Sequence, residues 1–123
     1  MSRVLLIDDE TPIAEVLSRA LRAHDHEVRV VSTGIDGLMA LTEEVPDVML
    51  LDISLPDITG WEVLRRMSNR DRERVPVVVF SASPLAASRV AEFKPAAVLT
   101  KPFPIGALQL LVEEVTQGEE SHA

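Results

Sequence analysis

The sequence predicts an α/β domain built on five parallel strands, and three observations carry that prediction. Apolar runs recur at residues 4–7, 28–31, 48–51, 77–80 and 96–99, each separated from the next by enough chain for a helix. Apart from Arg29 the runs contain no polar residue, which marks strands buried on both faces, as parallel strands covered by helices are. A length of 123 residues suits one domain of five strands and five helices. The domain is expected over residues 1–117, with an acidic, disordered tail over residues 118–123.

Each helix has its own local signal. The first is predicted with Thr11 as N-cap and Pro12 at N1, carries Ile13, Val16, Leu17, Ala20 and Leu21 on one face, and ends near His24. Gly34 and Gly37 flank a shorter second helix that turns Ile35, Leu38 and Leu41 inward and closes before Val45-Pro46, because a residue preceding proline avoids helical geometry. A third opens after Gly60 and holds Val63, Leu64 and Met67. Ser83-Pro84 resembles a second N-cap and N1 pair, opening a short fourth helix that ends by Lys94-Pro95, and the fifth starts near Pro104 with Leu108, Leu111, Val112 and Val115 inward. The arginines from Arg65 to Arg74 read as a solvated helix end and loop, and His24-Asp25-His26 as a turn.

Composition narrows the function classes. A net charge of −8 opposes bulk electrostatic attraction to nucleic acid or to an anionic membrane. Zero cysteines exclude disulfides and thiolate metal sites. The opening residues contain too short an apolar stretch for a signal peptide, and a cytoplasmic location is expected.

The chemistry-bearing residues gather at the ends of the predicted strands. Asp8 and Asp9 follow the first, Asp52 ends the third, and Ser81 and Lys101 follow the fourth and fifth. In one parallel sheet all five meet at the carboxyl edge, where open α/β sheets bind ligands. Three converging carboxylates repel one another unless a cation holds them, and Mg²⁺ favours sparse oxygen sites of this kind. A lysine beside them neutralises charge on a transferred phosphoryl group, while the Ser81 hydroxyl and the Ala82 N–H offer donors.

In this order, Asp8-Asp9, a V-M-L-L-D run ending in Asp52, Leu55-Pro56 with Gly60-Trp61-Glu62, Ser81-Ala82 and Lys101-Pro102-Phe103, the chain resembles the receiver domain of two-component response regulators over residues 3–116. The resemblance implies a flavodoxin-like three-layer sandwich with strand order 2-1-3-4-5. It implies Asp52 as phosphoacceptor and a Mg²⁺ site formed by Asp9, Asp52 and the backbone carbonyl of Ser54, with Asp8 acting through water. Ser81, Ala82 and Lys101 would hold the phosphoryl oxygens, and Lys101-Pro102 would be a cis peptide. The implied partners are a sensor histidine kinase or a histidine phosphotransfer protein and a downstream protein, with no nucleic acid or membrane. The implied activity is that of a signalling switch with at most self-phosphorylation and self-dephosphorylation, not of an enzyme with its own substrate.

Two departures from the family pattern matter. The family's aromatic residue three positions before the lysine is Val98 here, and the chain contains no tyrosine. The Ser81–Lys101 interval is also short, which predicts a truncated fourth helix and leaves a second reading, an interaction module that signals without phosphorylation. Other classes fit less well. A dinucleotide site would need a glycine-rich loop where Asp8-Asp9-Glu10 stands. A haloacid-dehalogenase-type phosphatase would need its nucleophile on the first strand.

Overall fold

The computed structural model describes the backbone of residues 1–120 and the side chains of residues 1–116. Strands β1 (Arg3–Ile7), β2 (Glu27–Val31), β3 (Val48–Asp52), β4 (Val77–Ser81) and β5 (Ala97–Thr100) form one sheet in the order β2-β1-β3-β4-β5. Every neighbouring pair is parallel, with Ile7 opposite Leu51, Asp52 opposite Phe80 and Ser81 opposite Thr100. Every residue of β3 and β4 is buried, whereas the edge strands β2 and β5 are half-exposed. The apolar runs 4–7, 48–51 and 77–80 thus form the centre of the sheet, while 28–31 and 96–99, expected to be buried on both faces, form its half-exposed edges.

Helices α1 (Thr11–Ala23), α2 (Gly34–Glu43), α3 (Gly60–Arg66), α4 (Asn69–Arg74), α5 (Ala87–Phe93) and α6 (Ile105–Glu120) complete the chain order. Alternate strand residues face two separate cores. Leu5, Ile7, Met49, Leu51, Val77 and Val79 pack against α2, α3 and Phe93 of α5. Val4, Leu6, Val48, Leu50, Val78 and Phe80 pack against α1 and α6. Each such side chain contributes about 1.5–3 kcal/mol on burial, so the two-sided core dominates the favourable terms. Among the described residues no helix is long and apolar enough to cross a membrane.

Local expectations needed correction at several points. Thr11 is the first residue of α1 and Glu10 its N-cap, without a side-chain capping bond. Ile35 is exposed, because Gly34 and Gly37 occupy the buried stripe of α2, and a Cβ on Gly34 would lie 2.5 Å from Ile58 Cγ1. Ser83-Pro84 does not start a helix: the Ser83 N–H donates to Ser81 Oγ at 3.2 Å, and α5 begins only at Ala87. The arginine-rich stretch holds an additional short helix, α4, capped by Ser68 Oγ, which accepts the Asp71 N–H at 3.1 Å. It buries no residue, so no apolar period announced it. The stretch expected as an acidic tail lies in its first three residues on α6, while residues 121–123 lie outside the described residues.

The seven-residue α5 is held chiefly at its C-terminal end. Phe93, its buried residue, stacks on Trp61 with ring centroids 5.4 Å apart, and the Arg65 guanidinium carbon lies 5.4 Å from the same ring. Arg72 donates to the Phe93 carbonyl. The N-terminal end of α5 has no side-chain cap.

Between β3 and α3, Gly60 seats the chain against the strand it has just left. Its N–H donates to the Ile53 carbonyl at 2.9 Å, and a Cβ there would stand 2.7 Å from the Asp52 carbonyl oxygen and 2.9 Å from Ile53 Cα. Both obstacles are backbone and cannot rotate away. Gly60→Ala is expected to lower stability by about 1–3 kcal/mol in urea unfolding; an unchanged midpoint would show that the β3 end yields.

Candidate functional site

The winding of the sheet reverses between β1 and β3, since β2 lies outside β1 and every later strand lies on the other side. Loops leaving β1 and β3 therefore diverge and leave a crevice at their carboxyl ends. Asp8 follows β1 and Asp52 ends β3, so both carboxylates stand at this crevice. Lys101, just past β5, enters it from the far edge.

The side chains of Asp8, Asp52 and Lys101 are 0%, 4% and 12% exposed, so their interactions are little screened by solvent. Lys101 Nζ lies 2.8 Å from Asp52 Oδ2, 3.0 Å from Glu10 Oε1 and 3.4 Å from Asp8 Oδ2. The remaining oxygens have local donors: Asp8 Oδ1 accepts the Glu10 N–H and Asp52 Oδ1 the Ser54 N–H, both at 2.9 Å. Burial raises the Asp8 carboxyl above its usual range, outweighing the Glu10 N–H and Lys101. Burial works against the Lys101 charge, yet its hydrogen bonds to Asp52 and Glu10 raise it well above an ordinary lysine. One positive charge divided among three carboxylates holds the lysine firmly and compensates no single carboxylate fully.

Of the residues singled out from sequence, Asp8, Asp52 and Lys101 come into direct contact. Asp9 is exposed, as expected of a neighbour of buried Asp8 at a strand end. Glu10, two residues beyond Asp8, returns toward the crevice, and the oxygens of Asp8, Glu10 and Asp52 lie within 4.8 Å of one another. That spacing of two is the signal in the sequence that points to Glu10. Ser54 is exposed directly after Ile53, while Ser81 is buried with its hydroxyl engaged by the backbone of Ser83. Ala82 is exposed and lines an open apolar cleft of about 660 Å³ with Pro12, Ile13, Phe103, Glu10 and Lys101. The Lys101–Pro102 peptide is cis.

A family model of the response regulator receiver domain matches residues 4–113, and the chain belongs to that family. The transcriptional regulatory protein AfsQ1 of Streptomyces coelicolor is 38% identical over 82 residues, covering 67% of this chain and 36% of that protein. The transcriptional regulatory protein PrrA of Mycobacterium tuberculosis is 34% identical over 123 residues, covering 98% of this chain and 52% of that protein. The chain thus spans about half the length, or less, of these curated relatives. Among solved structures, a CheY-like receiver domain protein from Methanospirillum hungatei superposes with a TM-score of 0.92 at 23% identity, covering 100% of this chain and 99% of that one. The response regulator TrrA of Thermotoga maritima, solved in complex with Mg²⁺ and BeF, superposes with a TM-score of 0.83 at 24% identity, covering 94% of this chain and 99% of that one. At these identities the likeness establishes the fold.

The charge arrangement makes opposite predictions for its two signs. In chelator at pH 7, Lys101→Met is expected to lower stability by about 1–3 kcal/mol, because it leaves buried carboxylates without their shared donor. Asp8→Asn should raise stability under the same conditions, since burial penalises that ionised carboxyl. Thermal unfolding of both variants checks this; two shifts of the same sign would refute the account of the charge balance.

Proposed function

We propose that this receiver domain is a phosphorylation-dependent signalling switch in which Asp52 accepts a phosphoryl group from a phosphohistidine of a sensor kinase or phosphotransfer protein. The observation that carries the reading is the contact of Lys101 with Asp52 at 2.8 Å inside a cluster of three carboxylates. Three carboxylates against one ammonium leave an excess of negative charge, and the donors are all oxygens, which fits a hard divalent cation. Asp8, Asp9, Asp52 and the Ser54 carbonyl would hold Mg²⁺, whose bound charge reduces repulsion between the carboxylate and an anionic phosphoryl group. The presence of Mg²⁺ and BeF in the TrrA structure agrees with this reading.

In the proposed transfer an Asp52 carboxylate oxygen attacks phosphorus, the P–N bond to the donor imidazole breaks, and the imidazole leaves with the bonding pair. Lys101 then pairs with a phosphoryl oxygen in place of the carboxylate oxygen it now holds. Ser81 exchanges its local bond to Ser83 for the phosphoryl group, with the Ala82 N–H beside it. The apolar cleft bounded by Glu10, Ala82 and Lys101 gives the donor side chain its approach. The domain acts as a cytoplasmic module over residues 1–117. Its reactions are limited to self-phosphorylation and self-dephosphorylation, and its output is a downstream protein partner or onward transfer.

With a small-molecule phosphodonor and Mg²⁺, mass spectrometry is expected to find one phosphoryl group on the wild type and none on Asp52→Asn. Equal uptake by both would remove the assignment.

The switching route follows from α5. Valine at position 98 lies exposed on the edge strand and has too little bulk to fill a pocket vacated by an aromatic ring. By contrast, the uncapped N-terminal end of α5 is joined to Ser81 by a short loop, the kind of segment with little local stability. Recruiting Ser81 and Ala82 to a phosphoryl group pulls on that loop. Hydrogen exchange with and without beryllofluoride and Mg²⁺ is expected to differ mainly over residues 81–95. Identical exchange there would favour the second reading, a module that binds its partner unphosphorylated, to which the Val98 substitution points.

A further inference from the structure

The β3–α3 loop, residues 53–59, is fastened to a helix that precedes it in the chain. Asp57 Oδ1 accepts the Gly34 N–H at 2.8 Å and Asp57 Oδ2 accepts the Ile35 N–H at 2.9 Å, so one carboxylate spans the first turn of α2. Partial desolvation opposes the Asp57 charge, but the Ile35 and Gly34 N–H groups outweigh it and hold the carboxyl below its usual range. Helix α2 already has an internal cap, since Thr33 Oγ1 accepts the Asp36 N–H at 3.0 Å. Asp57 therefore joins a helix whose start is secured without it, and the structural result falls on the loop.

The loop is closed at its base by the Gly60 N–H to the Ile53 carbonyl, and Ile58 packs into the space left by the missing Cβ of Gly34. Asp57 ties down the part between. Ser54 lies on the same loop, with its N–H on Asp52 Oδ1. We propose that Asp57 is a positioning residue for the cation site: by bolting the loop to α2, it fixes the backbone at Ser54, whose carbonyl would help hold Mg²⁺. The proposal rests on the reading of the crevice as a Mg²⁺ site. An exposed aspartate on the loop that leaves β3, outside the acidic cluster itself, thereby acquires a role in metal affinity, through backbone geometry and not through contact.

The test is calorimetric titration of the full chain with MgCl₂, paired with thermal unfolding in chelator, for wild type, Asp57→Ala, Asp57→Asn and Thr33→Ala. Asp57→Ala is expected to weaken Mg²⁺ binding about tenfold, as loss of a group that orients metal ligands does. Asp57→Asn, which keeps one acceptor, should recover part of that affinity, and it carries the comparison if Asp57→Ala melts below the titration temperature. Thr33→Ala removes the other cap of α2 and should lower the melting temperature with Mg²⁺ affinity unchanged. Wild-type affinity in Asp57→Ala, or equal weakening in Thr33→Ala, would reduce Asp57 to a helix cap and overturn the proposal. A wild type that binds no Mg²⁺ would overturn the metal reading itself, an outcome distinct from either.

Discussion

A single ammonium group shared by three carboxylates is the contact on which the carboxyl edge of the sheet depends. Lys101 stands just beyond the last strand and meets side chains that follow the first strand and end the third, closing sequence separations of 93, 91 and 49 residues. Exposed ion pairs contribute little to stability. Here two of the carboxylates are buried, and removing their partner would leave charge stranded in a medium that cannot solvate it. The same geometry prevents full compensation, because one positive charge cannot balance three negative ones. The edge is thus bound together and electrically unfinished at once.

That electrostatic demand reaches into the local structure around it. Glu10 occupies the N-cap position of α1, where a side chain ordinarily accepts an N–H of the first turn, yet its carboxylate is committed to Lys101. Ser81 likewise ends β4, but its hydroxyl and the backbone of Ser83 satisfy each other, and that local pairing delays the start of α5 to Ala87. At both strand ends the residues nearest the crevice give up helix initiation. The two helices involved are secured elsewhere, α1 by the apolar face of Ala14, Leu17 and Leu21, and α5 by Phe93.

The strands were legible because burial on both faces leaves unbroken apolar runs, as in 48–51 and 77–80, and their count and parallel sense followed from the spacing. Helices with an apolar stripe were legible for the same reason. What escaped was decided by particular side-chain contacts, some local and some distant in sequence. Thr11 and Ser83 carry the residue types of N-caps, but Glu10 takes the N-cap position of α1 with its carboxylate on Lys101, and the Ser83 backbone is engaged by the Ser81 hydroxyl. Ile35 looked inward until Gly34 and Gly37 took that face so that Ile58 and Ile7 could approach. Helix α4 has no apolar period and is held by Ser68 and an Arg74–Asp71 ion pair at 2.8 Å. At the site, Asp8, Asp52 and Lys101 could be brought together from strand ends alone, whereas Glu10 and Asp57 depend on the path of a turn and of a loop.

Trp61 stacks on Phe93 at the seat of α5, and it is the chain's one tryptophan. Intrinsic emission under selective excitation therefore has a single source. That source has on its stacked face the ring that closes a weakly held helix, with the Arg65 guanidinium on the same ring. Indole emission responds to such neighbours and to the entry of water. The molecule thus carries an optical gauge at the far end of the segment that begins at Ser81, and its brightness and wavelength register whether Phe93 is docked.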